Sequence, residues 1–181
     1  VFDVHAGFSR RHEDLVMNVA YVDGSIVKVR VTSYSVDGKA ASAADVANLE
    51  NSWDHPKPSE TFAPPFDARN FDAYQYSSSE PATIGFTASV RDGGHGDGSF
   101  GYDAQYNVVS YTYRPAALPP HATSGEIVDR RAEVLPGYWA STDETQDYKG
   151  TYGPFAAAGT VVVAYSNFRR FADEPSALKA L

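Results

Sequence analysis

A chain of 181 residues with 43% hydrophobic and 21% charged residues is long enough for one domain with a substantial core and too apolar for wholesale disorder. A formal charge of −8, with basic doublets only at Arg10-Arg11, Arg130-Arg131 and Arg169-Arg170, speaks against a nucleic-acid partner, because phosphates are repelled by such a surface. The absence of cysteine excludes disulfides, thiolate metal centres and cysteine nucleophiles, and no stretch approaches the roughly 20 apolar residues of a transmembrane helix.

Twelve Tyr and ten Phe against one Met lean the composition toward sheet, since aromatic side chains suit a pleated, half-buried surface. The chain starts at Val1 without an initiator Met, and its aromatic, Asn/Asp/Gly-rich character gives the expectation of an exported, periplasmic or secreted protein.

In chain order, "FSRRHEDL" reads as the end of a short helix. Residues 15 to 36 read as a hairpin about Asp23-Gly24, with Val27, Val29 and Val31 alternating against Lys28, Arg30 and Thr32. "SAADVANLENSW" (42–53) predicts a helix: Ser42 caps it, Asp45 follows three residues on, and Val46, Leu49 and Trp53 share a stripe. The four prolines of residues 54–72 forbid a regular element and predict a loop packed down as a lid by Phe62, Phe66 and Phe71. Strands are expected at 73–78, 83–91, 98–103, 107–114, 125–135, 138–152 and 160–171. A closing helix is expected from "DEPSALKAL", capped by Asp173 with Pro175 in its first turn. With no repeat and no linker, the whole of residues 1–181 is expected to form a single α+β, mainly β domain. Its predicted architecture is a curved antiparallel sheet, an incomplete barrel of eight or nine strands, with one or two helices and the proline-rich loop over its concave face.

Within "RDGGHGDGSFGYDAQYNVVSYTYRP" (91–115), Asp92, His95, Asp97 and Asp103 invite a metal reading. The offsets fit no calcium loop, and His5, His12, His55 and His121 are too dispersed for zinc. Local turn chemistry explains every residue, so neither metal nor cofactor is expected. Phe100 and Tyr102 then share one strand face, as do Val109, Tyr111 and Tyr113 on the returning strand. Such an aromatic ladder fills a core or lines a cavity for an apolar ligand.

In "GEIVDRRAEVL" (125–135), Asp129, Arg131 and Glu133 are read as a charged solvent face. Val128, Arg130, Ala132 and Val134 then look inward, and an inward Arg130 would meet a ligand's acidic head group or tether a lid. Arg169 and Arg170 raise the same question more weakly. Catalytic signatures are missing: there is no G-x-S-x-G elbow and no glycine-rich phosphate loop. Asp143 and Asp147 share a face, and Glu144 and Gln146 share the other.

A capped helix, a hairpin from Asp97 to Tyr113, and long closing strands in "YWASTDETQDYKGTYG" and "GTVVVAYSNFRRF" together resemble the LolA/LolB-type lipoprotein-localisation fold over roughly residues 10–171. The resemblance implies an incomplete barrel that wraps helices and encloses an apolar cavity for acyl chains, with Arg130 as the match to an inward arginine. The sequence thus predicts an exported, non-enzymatic protein holding a lipid-like ligand through Phe100, Tyr102, Tyr111, Tyr113, Arg130, Trp139 and Tyr165. The alternative is a cell-envelope or extracellular interaction module, with a sealed aromatic core and a protein partner on a sheet edge.

Overall fold

The computed structural model describes residues 1–6, 9–22, 25–54, 62–92, 94–118 and 120–181. Strands dominate: β1 (Phe2–Ala6), β2 (Ser9–Val22), β3 (Ser25–Val36), β4 (Lys39–Ala40), β5 (Tyr74–Glu80), β6 (Thr83–Ala88), β7 (Gly96–Tyr102), β8 (Val108–Pro115), β9 (Ala122–Leu135), β10 (Tyr138–Tyr152) and β11 (Phe155–Ala164). Helix α1 (Ala43–Asp54) and a 3₁₀ helix (Ala68–Ala73) separate β4 from β5, and α2 (Glu174–Lys179) closes the chain. The Asp23-Gly24 turn and the loop residues 55–61 lie outside the described residues.

Among the described residues, eleven strands form one sheet in the order β4-β3-β2-β1-β11-β10-β9-β8-β7-β6-β5, every pairing being antiparallel. The meander is cyclic, because β1 docks between β2 and β11 and joins the two ends of the chain. The sheet stays open between β4 and β5.

Eleven strands exceed the eight or nine expected, and the surplus lies mainly at the N-terminus. "FSRRHEDL" is not the end of a helix; Ser9 onward is the first half of β2. Its charges fit a strand because Arg10, His12 and Asp14 fall on the solvent side, where His12 bonds Asp3 at 2.6 Å and Asp14 at 3.1 Å. β11 also begins earlier than expected, at Phe155, because the small residues of "FAAAG" pair with the end of β10 across a two-residue turn. Arg169 and Arg170 lie beyond it, exposed and outside any strand.

Residues opposite one another in the register share a face. Following it from Tyr113 and Tyr111 defines an inner face, which holds the core: Tyr74, Phe86, Ala88, Phe100, Tyr111 and Tyr113. Glycine makes the packing there feasible. A Cβ on Gly98 would lie 1.9 Å from the Thr112 carbonyl oxygen and 2.9 Å from the Phe86 ring, so this strand position tolerates only hydrogen.

The proline-rich segment contributes its aromatics to that core. Phe62 lies 5.3 Å from Tyr111 and 4.7 Å from Tyr113, and Phe66 lies 5.8 Å from Phe100 and 5.6 Å from Tyr111, centroid to centroid. The Tyr74 and Tyr76 hydroxyls donate to the Ala63 and Pro65 carbonyls, both at 2.6 Å.

Helix α1 is anchored differently. Its start is a reciprocal capping box, with the Asp45 amide donating to Ser42 Oγ and the Ser42 amide donating to Asp45, each at 3.2 Å. It buries no side chain fully and instead covers the edge of β3: the Val29 amide donates to Asp54 at 2.8 Å and the Val31 amide to Glu50 at 2.7 Å. Lys28 also bonds Asp54. A row of unpaired edge amides that invites another strand is thereby occupied by carboxylates.

Candidate functional site

The inner face divides into two halves of different character. From β5 to β8 it is filled by aromatics and closed by Phe62 and Phe66. From β10 through β11 and β1 to β2 it carries Val161, Val163, Phe2, Val4, Leu15, Met17 and Val19, all half-buried, together with the Arg11–Glu13 ion pair opposite Val4 and Phe2, whereas the intervening Val16 and Val162 on the opposite face are 60% and 48% exposed. Among the described elements α1 packs on β3, the 3₁₀ helix on β5 and α2 on β2, and no helix packs substantially on β1, β10 or β11. A groove of about 370 Å³ runs between α1 and the adjoining strands, lined by Arg11, Tyr34, Val36, Asp45, Asn48 and Leu49.

Between the halves sits a polar cluster built by β9 and β10. The register sets Asp129 opposite both Tyr111 and Glu144 on the inner face. A bulge at Thr142 then places Ser141 opposite Arg131 on that same side. Asp129 is fully buried, and neither of its carboxylate oxygens closes a hydrogen bond. Burial pushes its pKa up to about 6. The Ser141 hydroxyl opposes that shift, the Glu144 charge adds to it, and Arg131 and the Tyr111 hydroxyl only partly counter it. Glu144 is raised as well, chiefly by burial, although it accepts a 2.6 Å bond from the Gln146 amide.

Around this carboxyl pair stand phenols. Tyr111, Tyr165, Tyr148 and Tyr21 all have raised pKa values, caused first by burial and then in part by the charges of Asp129 or Glu144. Tyr148 fits because its partner across the ladder is Gly125, where a Cβ would lie 2.6 Å from the ring. The cation of the cluster is Arg131. Its Nη2 donates to the Trp139 carbonyl at 3.0 Å, its guanidinium lies 5.2 Å from the centre of the Phe66 ring, and its buried Nε has no acceptor.

The structure therefore gathers part of the expected site and disperses the rest. Phe100, Tyr111 and Tyr113 lie together on the inner face, but Phe62 and Phe66 cover them, so they are core. Tyr165 stands beside Glu144, and Trp139 holds Arg131 through its carbonyl. Tyr102 stacks on the highly exposed Tyr106 at 5.8 Å, at the tip of the β7–β8 hairpin and away from the cluster. Arg130 requires a correction. It is exposed on the outer face opposite Asp143, while Asp129 and Arg131 point inward, the reverse of the expected alternation.

The sequence contains a sign of this arrangement. In "STDETQDY" of β10 both faces carry acids or amides, so whichever one turned inward had to bury polar groups. Asp143 and Asp147 took the solvent side, with Thr160 donating to Asp147 at 2.6 Å.

The Asp92 loop is the expected turn. Its carboxylate accepts from the Gly94 and His95 amides and from the His95 ring, at 2.7 to 3.0 Å, and Asp97 accepts from the Ala88 amide at 3.0 Å. Among the described residues, no three His, Asp or Glu side chains converge as metal ligands, and no helix is long and apolar enough to cross a membrane. Compared with protein-family models, with curated proteins and with solved structures, the chain has no significant match to any of them.

Proposed function

We propose that this is an exported, non-enzymatic binding protein that holds an apolar or amphiphilic, lipid-like ligand on the inner face of its sheet. The observation that carries the reading is the half-buried apolar stripe from Val161 and Val163 through Phe2 and Val4 to Leu15, Met17 and Val19. The members on β1 and β11 have lost much of their exposure although no helix packs substantially on either strand among the described elements. A sheet that curls on itself shields its own face in this way, as the incomplete barrel of the LolA/LolB-type fold does. In this view the Phe62–Phe66 segment closes one half of the concavity, α1 flanks the other, and the ligand's tail lies on the remaining stripe.

Shielding a methylene contributes about 0.8 kcal/mol. A twelve-carbon chain half-covered along the stripe therefore gains on the order of 5 kcal/mol from its tail. Head-group contacts add to this and association costs subtract from it, and an affinity on the order of 0.1–1 mM is the expected range.

The test uses neighbouring residues on opposite faces. A fluorescent fatty-acyl probe should bind saturably to the delipidated protein. Val163→Glu, on the inner face, should abolish that binding, whereas Val162→Glu, one residue away on the outer face, should leave it intact. Arg130→Leu, also on the outer face, should change it less than about twofold. No saturable binding by the native chain, or equal loss from both valine substitutions, would remove the basis for the proposal.

A further inference from the structure

Resting on that binding reading, we infer that the head-group end of the site is built for a cation: the ligand is an amphiphile with an ammonium head, seated between Glu144 and Asp129.

Two observations set the sign. Asp129 is wholly buried and neither carboxylate oxygen closes a hydrogen bond of ordinary geometry, the nearby Ser141 and Tyr111 hydroxyls offsetting only part of its burial. A buried acceptor left in that state costs roughly 1–3 kcal/mol, and more for a charged group, and such groups persist where something else fills the need. The second observation is the orientation of Arg131, the only guanidinium at the cluster among the described residues. Arg131 spends Nη2 on the Trp139 carbonyl and its flat face on Phe66, and closes no hydrogen bond to either Asp129 oxygen. Two carboxyls therefore face one arginine that is engaged elsewhere, and the cluster is net acidic. An acidic head group, the class an inward Arg130 would have suited, meets repulsion here; an ammonium supplies the donors that Asp129 lacks and a counter-charge for Glu144, which has only the Gln146 amide.

Access runs from the open half. Glu144 and Tyr165 are half-buried and Tyr21 is 45% exposed, so an ammonium arriving along the Val161–Val163 stripe meets Glu144 first and Asp129 behind it. The unpartnered Nε–H of Arg131 would donate to a neutral oxygen near the ammonium, as in an amino-alcohol head. The surrounding phenols of Tyr21, Tyr111, Tyr148 and Tyr165 offer cation-facing rings and hydroxyls.

Three twelve-carbon probes that differ only in the head separate the possibilities: dodecylammonium, dodecanol and dodecanoate, titrated near neutral pH below their aggregation limits. Dodecylammonium should bind at least about tenfold more tightly than dodecanol, and dodecanoate more weakly than either. Asp129→Asn and Glu144→Gln should each bring the ammonium and the alcohol to within about twofold of one another, whereas Val162→Glu on the outer face should keep the ammonium preference. A cooperative urea transition for each variant shows that it is folded. If dodecanol binds but the ammonium shows no advantage, or dodecanoate binds best, the head-group inference is wrong and the binding reading stands. If no probe binds saturably, both fall.

Discussion

Replacing Asp129 by Asn is expected to stabilise the protein, and to do so only where the carboxylate would be charged. The side chain keeps its shape and loses its charge. The carboxyl closes no hydrogen bond of ordinary geometry, and burial, only partly offset by the Ser141 and Tyr111 hydroxyls, pushes its pKa up to about 6, roughly two units above an ordinary Asp. The folded chain therefore holds a proton that the unfolded chain has released between about pH 4 and pH 6. Stability falls as pH rises through that window and stays at the lower level above it. At 1.36 kcal/mol per unit the penalty is at most roughly 3 kcal/mol, and the amide's own unmet hydrogen bonds reduce the recoverable part to about 1–3 kcal/mol. Urea unfolding of both proteins across about pH 4 to pH 8 should give curves that coincide at the acid end. They should diverge between about pH 4 and pH 6 and stay apart above it, with the variant unfolding at the higher urea concentration. A constant gap at every pH, or a less stable variant at about pH 8, would refute the claim that the native structure confines an uncompensated charge.

Phe66 links the lid segment to both the core and Arg131, so Phe66→Ala should cost about 2–4 kcal/mol in denaturant titration. A loss below about 0.5 kcal/mol would show that the segment is not packed there. Glu50→Ala removes the acceptor for the Val31 amide on the β3 edge. It should cost about 1–2 kcal/mol and, because the edge is uncovered, give concentration-dependent association in light scattering. Gly98→Ala forces a methyl against the Thr112 carbonyl and should abolish cooperative thermal unfolding or soluble expression, whereas normal melting would mean that β7 and β8 lie farther apart.

Most of the sheet was legible because alternation and turn chemistry are local. The Ser42–Asp45 capping box, the β7–β8 hairpin and the separation of β9 from β10 by Pro136-Gly137 all follow from a few adjacent residues. β1 was not, because five residues acquire strand character only when β2 and β11 supply partners on both sides. The polar cluster was misread for a related reason. Period two separates Asp129 and Arg131 from Arg130, but it does not say which side faces the core. The rule that charge faces water assigned Arg130 inward; Tyr111, Glu144 and Phe66, from three distant segments, placed Asp129 and Arg131 there instead. Similarly, the aromatic ladder Phe100, Tyr111 and Tyr113 could be recognised as one face, whereas its closure by Phe62 and Phe66 depends on how the chain crosses from β4 to β5.

Native mass spectrometry of gently purified protein titrated with a single-tailed twelve-carbon amphiphile addresses the central claim most directly. One saturable equivalent, retained by Val162→Glu and lost in Val163→Glu, is the expected result. A bare protein mass throughout the titration, or nonspecific stepwise adducts identical in all three chains, would contradict a ligand-binding inner face.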